Sequence, residues 1–109
     1  MSRVTEEEVF AVLRRSIASV WALELLLLLR RTDARVWTYD ELVLELRSSR
    51  TAVEHASASL ISSGLLAEQA CGLTYRPASY ELRRFGDELQ RIYSARPVSV
   101  MKAIMTAPE

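Results

Sequence analysis

The sequence predicts a mainly α fold with a small β-hairpin (an α+β domain), framed by a long N-terminal helix and a C-terminal helix. Three observations predict it. Apolar residues recur at the three- and four-residue spacing of a helix before Thr32, between Tyr39 and Ser63, and after Ser79. Thr5, Thr38, Ser49 and Ser79 stand at the starts of helical runs, where a hydroxyl can accept from free amide groups. Leu65 to Arg76 reads differently, as two short strand-like runs on either side of Cys71-Gly72, the composition of a hairpin.

In chain order, Thr5 to Arg31 is predicted helical. Thr5 caps it, and Glu8 three residues on completes a capping box. Val9, Phe10, Leu13, Ile17, Val20, Trp21 and Leu28 carry the spacing. The stretch is long for one helix, so a break is expected near Ser16 to Ser19. Thr32 to Arg35 is a polar loop, and Val36-Trp37 a short first strand. Thr38, with Glu41 as its box partner, opens a helix from Tyr39 to Leu46 that buries Leu42, Val43 and Leu46. Arg47-Ser48-Ser49 is a turn. Ser49 caps the next helix, Arg50 to Ser63, whose inward face is Val53, Ala56, Ser57 and Leu60. Gly64 stands where a helix end favours a left-handed residue. Leu65 to Ala70 and Leu73 to Arg76 are the hairpin strands. Ser79 caps a final helix containing Leu82, Phe85, Leu89, Ile92 and Tyr93. Pro97 interrupts it, and Val98 to Met105 adds further helical turns.

A chain of 109 residues makes one domain, 1–109. It divides into an N-terminal helical segment (1–35), a central unit (36–77) and a C-terminal helical segment (78–109). The 14 basic and 14 acidic residues cancel. Nucleic-acid domains are often clearly basic, so this balance counts against DNA. All the basic residues but Lys102 are arginine, whose fork suits phosphate and carboxylate equally. Cys71 is the single cysteine. It forbids an internal disulfide and points to a reducing, cytoplasmic setting. The acidic TEEE run from Thr5 does not read as a secretory signal. Ser19 to Leu29 is strongly apolar but carries Glu24 and ends in Arg30-Arg31. A membrane span needs roughly 20 apolar residues, so this is a core helix. Faces of it that one small domain cannot cover would pair two copies as a homodimer.

Strand, helix, turn, helix and hairpin over Val36 to Pro77 resemble the winged helix-turn-helix of MarR-like and ArsR-like bacterial regulators. The residues that carry the resemblance are Ser48-x-x-x-x-Val53, Leu60-x-x-x-Gly64-Leu65-Leu66 and the Gly-tipped hairpin. Through SVWALELLLLLRR, YRPAS and RPVSVMKAI, nearly the whole chain also resembles a group of small, uncharacterised bacterial winged-helix proteins. The first resemblance implies transcriptional regulation through double-stranded DNA. It makes residues 50–63 the recognition helix and 65–76 the wing.

Major-groove reading needs donors and acceptors aimed at base edges, with phosphate contacts around them. The candidate DNA-binding residues are Ser49, Arg50, Thr51, Glu54, His55 and Arg76. Arg50 suits phosphate or guanine, Thr51 either more weakly, and His55 a base edge. Glu54 can accept from a cytosine amino group but repels phosphate. Regulators of this type often carry an arginine near the position of His55. From Thr38 to Gly64, Arg47 and Arg50 face Asp40, Glu41, Glu45 and Glu54, a net of −2.

No catalytic set, cofactor loop or metal-ligand spacing is present, so neither an enzyme nor a cofactor or metal site is expected. The competing reading is a protein-interaction module on the same scaffold. Its motivation is the non-basic surface together with Val98, Met101, Ile104 and Met105, which stand at helical spacing as an apolar stripe for a partner.

Overall fold

The N-terminal helical stretch is two helices. The computed structural model describes residues 5–17 and 19–105, and α1 (Glu6–Ser16) and α2 (Val20–Arg31) are separated where Ile17 and Ser19 take extended backbone angles. Thr5 and Glu8 form the expected capping box on α1. Ser19 accepts from the Ala22 amide at 3.1 Å and starts α2 afresh. The remaining order is α3 (Tyr39–Leu46), α4 (Arg50–Ser62), β1 (Leu66–Gln69), β2 (Gly72–Tyr75), α5 (Tyr80–Ala95) and α6 (Pro97–Met105). The domain is mainly helical, with a two-stranded antiparallel sheet.

α2 is the centre of the core. Leu23, Leu25, Leu26, Leu27 and Leu29 are at most 2% exposed, and α3, α4, α5, α6 and β2 all pack on this helix. Burying one such side chain contributes about 1.5–3 kcal/mol. The faces of α2 left over for a second copy are therefore small and hold none of its leucines. One chain covers its leucines, and only Trp21, at 40%, is left substantially exposed among its large apolar residues.

Val36-Trp37 does not form a strand. Trp37 makes a single antiparallel bridge to Leu73, through Trp37 N–H to Leu73 O at 2.8 Å and Leu73 N–H to Trp37 O at 2.7 Å. Pairing stops there because the chain turns at once into α3, where Thr38 is already the cap. β1 begins one residue later than expected, since the Leu65 amide closes the end of α4 by donating to Leu60 O at 3.0 Å. The Gly64 amide donates to Ile61 O at 3.0 Å, and Gly64 has φ +81°. These are the two bonds of a Schellman end. The hairpin turn is Ala70-Cys71, with Gln69 paired to Gly72, so Gly72 starts β2 and lies outside the turn.

β2 packs on α5 at Gly86. A Cβ there would fall within the Tyr75 hydroxyl, but only 3.4 Å from Tyr75 Cζ, an ordinary contact. The Tyr75 hydroxyl is buried without a hydrogen-bond partner among the described residues, and burial pushes its pKa up. Gly86→Ala is expected to cost about 1–3 kcal/mol, the usual range for overpacking. Tyr75→Phe loses no hydrogen bond and should be neutral or stabilising. In the Tyr75→Phe background, Gly86→Ala should recover most of its cost. Urea unfolding of the four proteins checks this; an equal cost in both backgrounds would show that the two residues do not compete for space.

α6 turns Val100, Ala103 and Ile104 into the core, packing against α1, α5 and α2. The expected stripe of Val98, Met101, Ile104 and Met105 is thus divided. Ile104 is a core residue and Met101 is half-buried, while Val98 and Met105 are 65% and 73% exposed.

Candidate nucleic-acid interface

The candidate surface is built from α3, a tight turn and α4. At the start of α3, Thr38 Oγ1 accepts from the Glu41 amide at 3.1 Å, and the Glu41 carboxylate accepts from the Thr38 amide at 2.9 Å. The Thr38 backbone bond is the main cause of a Glu41 pKa below its ordinary value. A lowered carboxylate pKa gives stability that is present above the unfolded value and lost as pH falls through the folded one. Acid is therefore expected to loosen the start of α3. Glu41→Gln keeps the box but removes that titration, which amide exchange at Thr38 measured across the acid range would show.

α3 ends at Arg47, a non-glycine residue in the left-handed region with φ +53°. The Ser48 amide then donates to Val43 O at 3.1 Å. Ser49 accepts from the Ala52 amide at 3.1 Å and caps α4. As the periodicity requires, Val53, Ala56, Ser57 and Leu60 are buried. Arg50, Thr51, Glu54, His55 and Ala58 face outward.

The outward face is not a free cationic surface. Arg50 Nε donates to Glu54 at 3.0 Å, Arg50 Nη1 donates to Asp40 at 3.2 Å, and the guanidinium lies 5.0 Å from the Tyr39 ring centroid. All three charged side chains are more than half exposed, so each pair contributes about 0–1 kcal/mol. A phosphate can compete for Arg50 on those terms. Ser49 has committed its oxygen to the cap but keeps its hydroxyl proton for donation. His55 lines a hollow of about 330 Å³ with Ser19, Trp21, Ala52 and Ala56. Thr51 is exposed between these groups.

Arg76 is exposed but stands apart from the other candidates. Its amide donates to Leu65 O at 3.2 Å, which places it beyond the C-terminal end of α4. Arg50 is at the other end of that helix, about 20 Å away at 1.5 Å per residue. The turn end of the hairpin lies instead near the start of α3, where the Tyr39 hydroxyl donates to Glu68 at 3.2 Å. That corner gathers Asp40, Glu41 and Glu68. Sequence reasoning missed Asp40 and Tyr39 as partners of Arg50. The Arg50–Glu54 pair was open to inference from its four-residue spacing, whereas the Asp40 contact depends on the angle between α3 and α4.

The arginine bias has a structural outlet. Arg30 pairs with Asp87 at 2.8 Å, Arg83 with Asp33 at 3.6 Å, Arg91 with Glu88 at 2.9 Å, and Arg96 with Glu6. Arg35 pairs with Glu41 at 3.3 Å and stacks 3.6 Å over the Trp37 ring. Much of the positive charge is thus spent inside the domain. Among the described residues, no group of His, Cys, Asp and Glu could hold a metal ion. No helix among them is long and apolar enough to cross a membrane. No protein-family model matches the chain, and no curated protein or solved structure matches it.

Proposed function

We propose that this chain is a winged helix-turn-helix regulator that docks on double-stranded DNA as a homodimer, with α4 as the recognition helix and β1–β2 as the wing. The observation that carries the reading is the division of α4. One face is sealed into the core, while Arg50, Thr51, Glu54 and His55 are exposed on the other beside the α3–α4 turn. An α-helix presented in this way fits the major groove. Ser49 and the free amides at the start of α4 suit a phosphate. In this reading Arg50 leaves Asp40 and Glu54 to meet phosphate or guanine, and His55 and Thr51 face base edges. Arg76 contacts the backbone from the wing base. Val98 and Met105 of α6 supply the apolar contact to the second copy, in place of α2. Arg50→Ala should weaken binding to a short palindromic duplex by about tenfold at low salt, one phosphate contact's share. Fluorescence anisotropy measures it, and an unchanged affinity would remove Arg50 from the interface.

A second reading is favoured by one observation. Leu44 projects from α3 with 79% exposure, within the α3–α4 unit whose net charge is −2. An apolar residue on an acidic surface suits a protein partner better than a phosphate backbone. A partner whose capture is abolished by Leu44→Asp, in a chain that binds no duplex, would establish this reading over the first.

A further inference from the structure

A cleft of about 290 Å³ opens between the C-terminal ends of α2 and α3. It lies away from the outward face of α4. Its charged lining is Glu24 and Arg31 from α2, and Glu45 and Arg47 from the end of α3. None of these four makes an ion pair with a described residue. That sets them apart in a domain that pairs so many of its arginines. The rest of the lining is apolar or aromatic: Leu27, Leu28, Leu46 and Tyr93. Glu24, Leu27, Leu28 and Arg31 share one face of α2 by their spacing, so the two charges bracket a leucine floor.

Arg47 adds an independent observation. It occupies a left-handed position, φ +53°, where glycine would be accommodated without strain. Non-glycine residues held there tend to cluster at functional sites. The guanidinium retained at this position lines the cleft, as that of Arg31 does.

We propose that this cleft binds a small zwitterion, an α-amino acid with an apolar side chain. Arg31 and Arg47 take the carboxylate, Glu24 and Glu45 take the ammonium group, and the side chain lies on the leucine floor against Tyr93. Two guanidinium forks match a carboxylate. The two carboxylates explain why a simple anion would be a poor occupant. A volume at the low end for ligand sites suits an occupant about the size of one amino acid. The site does not depend on the DNA reading.

Amide chemical shifts of the full chain, titrated with L-leucine, L-methionine and L-phenylalanine, test the proposal. At least one is expected to give saturable shifts centred on Arg31, Glu45, Leu46 and Arg47. Leucinamide, which lacks the carboxylate, and 4-methylpentanoate, which lacks the ammonium group, should bind at least tenfold more weakly than L-leucine. Arg47→Gly is the decisive variant, because glycine suits the backbone there. It should fold with an unchanged or higher melting temperature, yet lose at least tenfold in affinity, whereas Arg96→Gln should bind as the parent does. Absence of saturable shifts with all three amino acids overturns the proposal. So does equal binding of 4-methylpentanoate, which would mark a plain anion site, or full affinity in Arg47→Gly.

Discussion

Gly72→Ala is expected to destabilise the domain by about 3–5 kcal/mol, a large part of the roughly 5–15 kcal/mol that holds a domain of this kind together. The reason lies outside the hairpin turn. A Cβ at Gly72 would overlap the backbone carbonyl of Trp37, with Thr38 Cα at 3.0 Å behind it. That carbonyl cannot swing aside like a side chain. It accepts from the Leu73 amide at 2.7 Å, and the Trp37 amide donates to Leu73 O at 2.8 Å. Moving it breaks the bridge, at about 1 kcal/mol per bond, in addition to overpacking at about 1–3 kcal/mol. It also disturbs the cap of α3 one residue later. Cys71→Ala, next to it in the exposed turn, should change stability by less than about 0.5 kcal/mol. Urea unfolding of both variants decides the matter; similar midpoints would mean that the approach of Trp37 to the hairpin is not what requires glycine.

Neutralising the partners of Arg50 should strengthen DNA binding. Asp40→Asn with Glu54→Gln removes two charges that repel phosphate and releases Arg50 from both ion pairs. The α3–α4 unit moves from a net of −2 to zero. At low salt each phosphate neutralised is worth about tenfold in affinity, so the double variant should bind duplex DNA on the order of 10- to 100-fold more tightly. Stability should hardly move, because exposed pairs contribute about 0–1 kcal/mol each. Adding Arg50→Ala to the double variant should cancel the part of the gain due to the released guanidinium. If the double variant bound no better than the parent, the α4 face would not be the docking surface.

Much of the fold was legible because local chemistry dictates it. The caps at Thr5, Thr38, Ser49 and Ser79 are side-chain-to-amide contacts within four residues, visible in sequence alone. The left-handed end of α4 needed only Gly64, and the inward face of α4 only its periodicity. What depended on the packing of distant segments was less visible. Val36-Trp37 carries strand-forming residues, but one bridge is all that the turn into α3 allows. The apolar stripe of α6 loses Ile104, which is buried where α6 packs against α5, α1 and α2. Coverage of α2 also follows from where α3, α4, α5, α6 and β2 fall, which no helical spacing reveals. For the candidate site, the exposed faces of Arg50, Thr51, Glu54 and His55 were legible. The capture of Arg50 by Asp40 and the separation of Arg76 were not, since both are set by the angles between elements.

The central claim, that the outward face of α4 docks on DNA, is tested most directly by a salt titration of duplex binding. Labelled genomic duplexes carrying palindromic sites should be titrated with the full chain at about 50 and 200 mM salt and followed by anisotropy. The account predicts saturable binding at the lower salt that weakens steeply at the higher, as counterion release requires, and that is reduced by Arg50→Ala. Absence of binding at low salt, or binding indifferent to both salt and Arg50, would contradict it.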